Sequence, residues 1–222
     1  MIPEKIGYIF DMDGVLFLSS EIHYQAYCEA LAAEPVEVLD YRELSGMRTD
    51  SAIQKIFNKS GIVLNPEKLQ ELVSRKRGFA SEMLRKQPPV ATDCNKVIAE
   101  FYRRGIPMAL ASSSSSQNVQ LFLESSGTRN FFSVILSGDD VKNAKPDPEI
   151  FRIARTCFGI LPEFCFVIED SESGIRSAQA DGMKVIGVVA QHTQKELKLF
   201  GTVATISRLD ELLKLSLFQS NI

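Results

Sequence analysis

Four short groups of residues in this sequence have the types and spacing to do chemistry together. The first is Asp11-Met12-Asp13-Gly14, two acids two residues apart at the end of the apolar run Ile6-Gly7-Tyr8-Ile9-Phe10. The second is the hydroxyl run Ser112-Ser113-Ser114-Ser115-Ser116, and the third is Lys145 within Asn143-Ala144-Lys145-Pro146. The fourth is the acid pair Glu169-Asp170, followed by Ser171. Each alone has an ordinary reading: an Asp-Gly turn, a short linker, a solvated loop lysine, a helix N-cap. Taken in this order, they make a set suited to phosphoryl transfer. A phosphate monoester is doubly anionic near neutral pH, and carboxylates alone repel it. A divalent cation held by Asp11 and Asp170 removes that repulsion, and Mg²⁺ is a hard ion that favours such oxygen ligands. One carboxylate can then attack phosphorus. The other protonates the leaving oxygen and later activates water, which asks for a raised pKa at neutral pH. A serine hydroxyl and Lys145 spread the charge of the transition state.

Such a set works only if the fold brings its members to one place. Residues 6–10 are too few for a helix, are rich in Ile, Tyr and Phe, and read as a strand buried on both faces. From about Ala91 strands and helices alternate. The strands are expected over 107–111, 132–136, 164–168, 184–189 and 203–206, with Asp93 placed to cap the helix before the first of these and Gly105, Gly127, Gly159 and Gly182 stopping the helices between them. This repetition predicts an α/β fold, a Rossmann-like, mostly parallel sheet with helices on both faces. The carboxyl ends of its strands share one edge, where ligands bind, and the four groups all follow such ends. Residues 19–87 read differently. They show helical periodicity over 19–33, 40–44, 51–59 and 66–85, with Ser19, Asp50 and Pro66 near helix starts and no convincing strand. The reading is one α/β core (1–18 and 88–222) that carries an all-helical unit over 19–87.

Composition narrows the partners. The 222 residues carry a formal net charge of −3 and no basic block, which argues against nucleic acid. No apolar stretch approaches the roughly 18–20 residues of a membrane span. The N-terminal apolar run is broken by Asp11 and Asp13, unlike a secretory signal. Four cysteines without a C-x-x-C pair, and few histidines, make a zinc site improbable and suit free thiols in a reducing cytoplasm. The expected partner is a small phosphorylated metabolite, handled by a monomer.

The motifs Asp11-x-Asp13-Gly14-Val15, Ser112 after Met108-Ala109-Leu110-Ala111, Lys145-Pro146, and Glu169-Asp170-Ser171-x-x-Gly174-Ile175 resemble those of the haloacid-dehalogenase-like superfamily, in its β-phosphoglucomutase-like branch with a helical cap. The resemblance covers nearly the whole chain. It implies that Asp11 is the nucleophile. Asp13 is then the general acid/base and lends a backbone carbonyl to Mg²⁺, while Ser112 and Lys145 hold the transferring phosphate. Glu169 and Asp170 complete the metal site, and Ser113 and Ser114 join the substrate-binding residues. It also implies that residues 19–87 are a cap that shuts the site. An acid at position 13 sets the chain apart from dehalogenases and phosphonatases. In the cap, His23 falls where this branch often has a histidine that contacts the general acid, with Ser19 four residues earlier. Arg48 and Lys76 resemble substrate-binding cap residues of the mutases.

Two positions depart from the pattern. Leu18 stands where most relatives carry an aspartate, and Ser115 where the mutases have a lysine for a second phosphate. The reading is therefore a Mg²⁺-dependent phosphatase of a small phosphorylated metabolite, a sugar phosphate, with a β-phosphoglucomutase as the rival enzyme. A phospho-accepting signalling module also uses acids, a hydroxyl and a lysine at strand ends. Its acceptor lies on a later strand, and it lacks a helical insertion after the first.

Overall fold

The computed structural model of the chain describes residues 6–215. The apolar run before the first acid pair forms strand β1 (Gly7–Phe10). Three helices follow, α1 (Ser20–Leu31), α2 (Thr49–Lys59) and α3 (Pro66–Lys86). The alternation then begins: α4 (Cys94–Arg103), β2 (Met108–Ala111), α5 (Ser116–Ser126), β3 (Val134–Leu136), α6 (Glu149–Phe158), β4 (Cys165–Glu169), α7 (Glu172–Ala180), β5 (Lys184–Val188), α8 (Gln194–Leu199) and β6 (Ala204–Ile206). The six strands make one parallel sheet in the order β3-β2-β1-β4-β5-β6. Order reverses beside β1, between its neighbours β2 and β4, the place where such sheets hold ligands.

The strands are short and mostly apolar, as suits a sheet that helices cover on both faces. Strand alternation sorts the side chains. Tyr8 and Phe10 join Phe101 of α4 and Phe122 of α5 on one face. Ile9 joins Phe151 of α6, Ile175 of α7 and Leu197 of α8 on the other. Tyr8 meets Phe101 edge-on at 4.7 Å and stacks on Phe166 at 5.5 Å. These aromatic contacts fix β1 between its neighbours.

Helices α1–α3 pack round a separate apolar cluster that includes Tyr27, Leu31, Ile53, Ile56, Phe57 and Leu72. The two crossings between this insertion and the sheet lie side by side. The Leu18 N–H donates to the Pro89 carbonyl at 2.7 Å, and the Ala91 N–H to the Leu16 carbonyl at 2.9 Å. Leu18 itself turns its side chain to solvent.

Local differences from the expected elements have visible causes. Residues 209–214 form a 3₁₀ rather than an α-helix, and only Leu209 and Leu212 are buried there, a spacing of three that suits 3₁₀ geometry. Residues 41–43 are likewise one 3₁₀ turn, closed by Asp40 accepting the Arg42 N–H. Ser19 and Asp93 do not cap α1 and α4. The Ser19 hydroxyl goes to Asp13, and the Asp93 carboxylate pairs with Arg208. Helix α7 is capped by Ser171, whose hydroxyl accepts the Gly174 N–H at 3.1 Å. Among the described residues, no helix is long and apolar enough to cross a membrane.

The insertion seats on the sheet through Gly46, which has φ +73, and a Cβ there would run into the Ser171 hydroxyl. Gly46→Ala is expected to combine a left-handed strain of about 1–2 kcal/mol with that collision. Thermal unfolding should show the loss, and amide exchange over residues 41–47 should rise as the loop lifts. Unchanged exchange there would show that the contact is not a seat.

Candidate active site

The turn after β1 is set by its backbone. The Asp11 N–H donates to the Ile168 carbonyl at 3.0 Å, and the Met12 carbonyl accepts the N–H groups of Leu16 and Phe17 at 2.9 Å each. Met12 continues the alternation of Tyr8 and Phe10 into the core. Asp11 and Asp13 are thereby left at the sheet edge. Gly14 closes the turn at φ +81, and a Cβ there would strike the Asp170 carboxylate. The acids of β1 and β4 can approach one another only because this residue has no side chain.

The predicted groups converge. The Lys145 ammonium, buried at the sheet edge, donates to Asp11 Oδ1 at 2.6 Å, to Glu169 Oε1 at 3.0 Å and to the Ala111 carbonyl at 3.3 Å. It also lies 4.4 Å from the centre of the Phe151 ring. Burial alone would lower its pKa, but Asp11 and Glu169 outweigh burial and raise it. Glu169 is held from the other side, its Oε2 accepting the Ser171 N–H at 2.8 Å and the Ser171 hydroxyl at 2.9 Å. Oxygens of Asp11, Glu169 and Asp170 lie within 4.8 Å of one another. Asp170 Oδ2 is buried with no hydrogen-bond partner among the described residues. Burial, with Glu169 and other carboxylates beside them, pushes both Asp11 and Asp170 well above the usual carboxylate range.

Asp13 has a different environment. Its Oδ1 accepts the Ser19 hydroxyl at 2.5 Å and His23 Nε2 at 3.0 Å. Its Oδ2 accepts the hydroxyls of Ser114 at 2.6 Å and Ser112 at 3.3 Å. Burial pushes the carboxyl up, but His23 and the hydroxyl donors outweigh it and hold the group below the usual range. Behind it, Lys76 Nζ lies 3.0 Å from His23 Nδ1 and 4.4 Å from the Tyr27 ring centre. A lysine ammonium only donates, so Nδ1 accepts and Nε2 carries the proton toward Asp13. Burial and the Lys76 charge both press the His23 pKa down, which agrees with a neutral imidazole passing the bond along.

Ser19 and His23 both meet Asp13, the contact that the resemblance implies for His23. Ser113 lines the same space but donates to the Gly46 carbonyl at 2.7 Å. Arg48 is the predicted site residue that the structure does not bring in. Its guanidinium pairs with Asp50 at 2.8 Å and donates to the carbonyls of Val141 and Lys142. Arg48 stands at the N-cap of α2, outside its first turn, and the neighbouring Thr49 faces the cavity instead. Sequence reasoning also missed Tyr27, Tyr41 and Met47. Tyr27 carried a signal, since it lies one turn after His23. The enclosed space over Asp11 and Asp13 is about 30 Å³, room for about one water.

The chain matches the model of haloacid dehalogenase-like hydrolases over residues 8–188. A phosphorylated carbohydrates phosphatase from Thermotoga maritima is 32% identical over 206 residues, 89% of this chain and 92% of that protein. A chloroplastic 5-amino-6-(5-phospho-D-ribitylamino)uracil phosphatase from Arabidopsis thaliana is 28% identical over 211 residues. That match takes in 93% of this chain and 55% of the relative, so the chain spans about half its length. The crystal structure of CbbY from Rhodobacter sphaeroides in complex with xylulose-(1,5)bisphosphate is similar at TM-score 0.79 and 28% identity, covering 94% of this chain and 96% of that one.

Lys76 offers a direct check on the electrostatics. Burial lowers its pKa to about 8 from an ordinary 10.5. Below about pH 8 the folded chain carries a proton that burial disfavours, so the group costs stability. The cost fades between about pH 8 and 10.5 and is absent above, where both states are neutral. Wild type is therefore expected to gain up to roughly 3 kcal/mol on Lys76→Met as pH rises from 7 to 10.5, read by denaturant unfolding. A difference that does not change with pH would contradict the buried, protonated lysine.

Proposed function

This chain belongs to the haloacid dehalogenase-like hydrolases, and on that premise we propose that it is a Mg²⁺-dependent phosphatase of small phosphorylated metabolites, sugar phosphates in particular, working through an aspartyl-phosphate on Asp11. The observation that carries the reading is the acid cluster itself. Asp11, Glu169 and Asp170 crowd together with only Lys145 between them, and one Asp170 oxygen has no partner. A hard divalent cation fits that set, because the donors are all oxygens and the raised carboxyls of Asp11 and Asp170 need positive charge to ionise. Asp11 and Asp170 would hold Mg²⁺ beside Glu169, with the backbone carbonyl of Asp13 as a further ligand. Bound there, the ion neutralises the carboxylates and screens the phosphate from them.

The chain's own residues do the rest. An Asp11 oxygen attacks phosphorus and the bond to the ester oxygen breaks. Asp13 gives its proton to that oxygen, and the alcohol leaves. Asp13 then takes a proton from water, the water oxygen attacks the same phosphorus, and phosphate leaves with Asp11 restored. Ser19, His23, Ser112 and Ser114 favour Asp13 as a carboxylate, so between turns it gives that proton to solvent and takes one up again as substrate binds. Substrate must displace Ser112 and Ser114 from it, which raises its proton affinity when the proton is needed. Lys145 stays positive and spreads the charge of the transferring group. A cavity of about 30 Å³ admits no sugar, so the insertion lifts to load substrate and closes to exclude water.

The mutase reading is the weaker one. A mutase must grip a bisphosphate in two orientations, and the cation that lines the cavity among the described residues, Lys76, is already committed to His23. Ser115 offers no charge where the mutases place a lysine.

Phosphate release from a panel of sugar phosphates tests the proposal. EDTA should abolish release, Mg²⁺ should restore it, and Asp11→Asn should be inactive with its fold kept. Full turnover in chelator, or a long-lived phosphoryl group on Asp11 with no turnover, overturns it. Ser115→Lys should raise isomerisation of β-glucose 1-phosphate relative to hydrolysis, by the roughly 1.5–3 kcal/mol of one charge-assisted contact. Wild type isomerising many times per phosphate released would favour the mutase.

A further inference from the structure

The loop after β3 carries Lys145, and two arginines of the insertion grip it. Arg48 donates from Nη1 to the Val141 carbonyl at 3.1 Å and the Lys142 carbonyl at 3.2 Å. Arg77, next to Lys76 on α3, donates from Nη2 to Asp139 Oδ1 at 2.9 Å. The other Asp139 oxygen accepts the Ser116 N–H at 2.9 Å and the Ser116 hydroxyl at 3.1 Å. Ser116 is the first residue of α5 and the last of the serine run. Asp139 therefore sits among a helix N-terminal N–H, a hydroxyl and a guanidinium. That donor set suits a phosphate, and the chain fills it with a carboxylate of its own. The same run places Ser114, two residues before Ser116, on Asp13, so one run of serines ties this internal anion, on the seam between insertion and sheet, to the reacting centre.

We infer that Asp139 and Arg77 are specificity-determining residues, which shut the insertion over substrates that carry one phosphate and turn away those that bring a second phosphate to this seam. The inference rests on the phosphatase reading above and names its substrate class, monophosphate esters. A second phosphate arriving there meets the Asp139 charge and must also break the Arg77 pair, and like charges across a closed interface oppose binding strongly. Asp139 keeps its charge. Burial pushes its carboxyl up, but the Ser116 N–H and Arg77 outweigh burial and lower it. The pair is about a third exposed on each side, 32% for Arg77 and 37% for Asp139. A pair so wet is weak and screened by salt, which suits a latch that opens in every cycle. A substrate with one phosphate closes the insertion with the help of this internal anion.

Asp139→Asn removes the charge and keeps the shape. Binding of glucose 6-phosphate and glucose 1,6-bisphosphate is to be measured by calorimetry in Mg²⁺, with and without this change, in an Asp11→Asn background that does not turn over. The preference should shift toward the bisphosphate by about tenfold, the size of one charge-assisted contact, and Asp139→Glu should keep the wild-type preference. An unchanged preference overturns the inference. A wild type that hydrolyses no ester defeats the phosphatase reading but leaves this binding comparison standing. If neither ester binds, amide exchange decides: Asp139→Asn must speed exchange in residues 66–86 and 137–148, and no change there overturns the latch.

Discussion

Charge crowding at the carboxyl edge of β1 and β4 is the constraint that shapes the rest of the molecule. Asp11, Asp13, Glu169 and Asp170 are all brought there, and Lys145 is the ammonium that touches two of them. Burying unpaired charge is expensive, and each acid is relieved in a different way. Glu169 is shared between Lys145 and Ser171. Asp13 is surrounded by hydroxyls and His23. Asp11 has Lys145 and needs more, and one Asp170 oxygen has no hydrogen-bond partner among the described residues. The two least satisfied acids are thus the two that a cation would bridge. The sheet order, the strand lengths and the close turn at Gly14 all serve to bring these groups within reach. A Cβ at Gly174 would collide with the Glu169 carboxylate, so even the first turn of α7 is shaped round this cluster.

The sequence made this part legible because it depends on local rules. Short apolar runs end in polar residues, strands alternate with helices, and parallel strands must share an edge, so the four groups had to meet. His23 was legible through the family resemblance, with Ser19 four residues before it. What stayed hidden depends on how α1–α3 dock. Arg48 and Thr49 are neighbours, and nothing in their order says which one faces the cavity and which turns to the Val141 and Lys142 carbonyls. Asp139 gave no signal, since an acid in a loop is ordinary until a helix N-terminus and an arginine arrive beside it. Ser19 and Asp93 misled as caps for a related reason. A longer-range partner, Asp13 or Arg208, competed for the side chain and won.

Two states of charge coexist a few ångströms apart. Asp11 and Asp170 are pushed toward the protonated form and Asp13 toward the ionised form. Pairs of titratable groups driven in opposite directions mark acid–base work. The surroundings of Asp13 are detachable in part, since Ser112 and Ser114 come from the sheet and Ser19, His23 and Lys76 from the insertion. Moving the insertion therefore changes the proton affinity of the acid as well as its access to water, and the two effects arrive together.

The side-by-side crossings at Leu18 and Pro89 bear on how such a protein could come about. An insertion whose two ends leave the sheet as hydrogen-bonded neighbours asks nothing of its host beyond a gap of one strand spacing. The helical unit has an apolar cluster of its own, and it lends the sheet's core Leu84, with Ile22 packed beside it. A different helical unit with equally close ends could be grafted at the same point and leave Asp11 and Glu169 with Lys145, while Asp13 would lose Ser19 and His23 as partners. Substrate range would then vary as a module joined by two stretches of backbone, and it would meet the chemistry at Asp13.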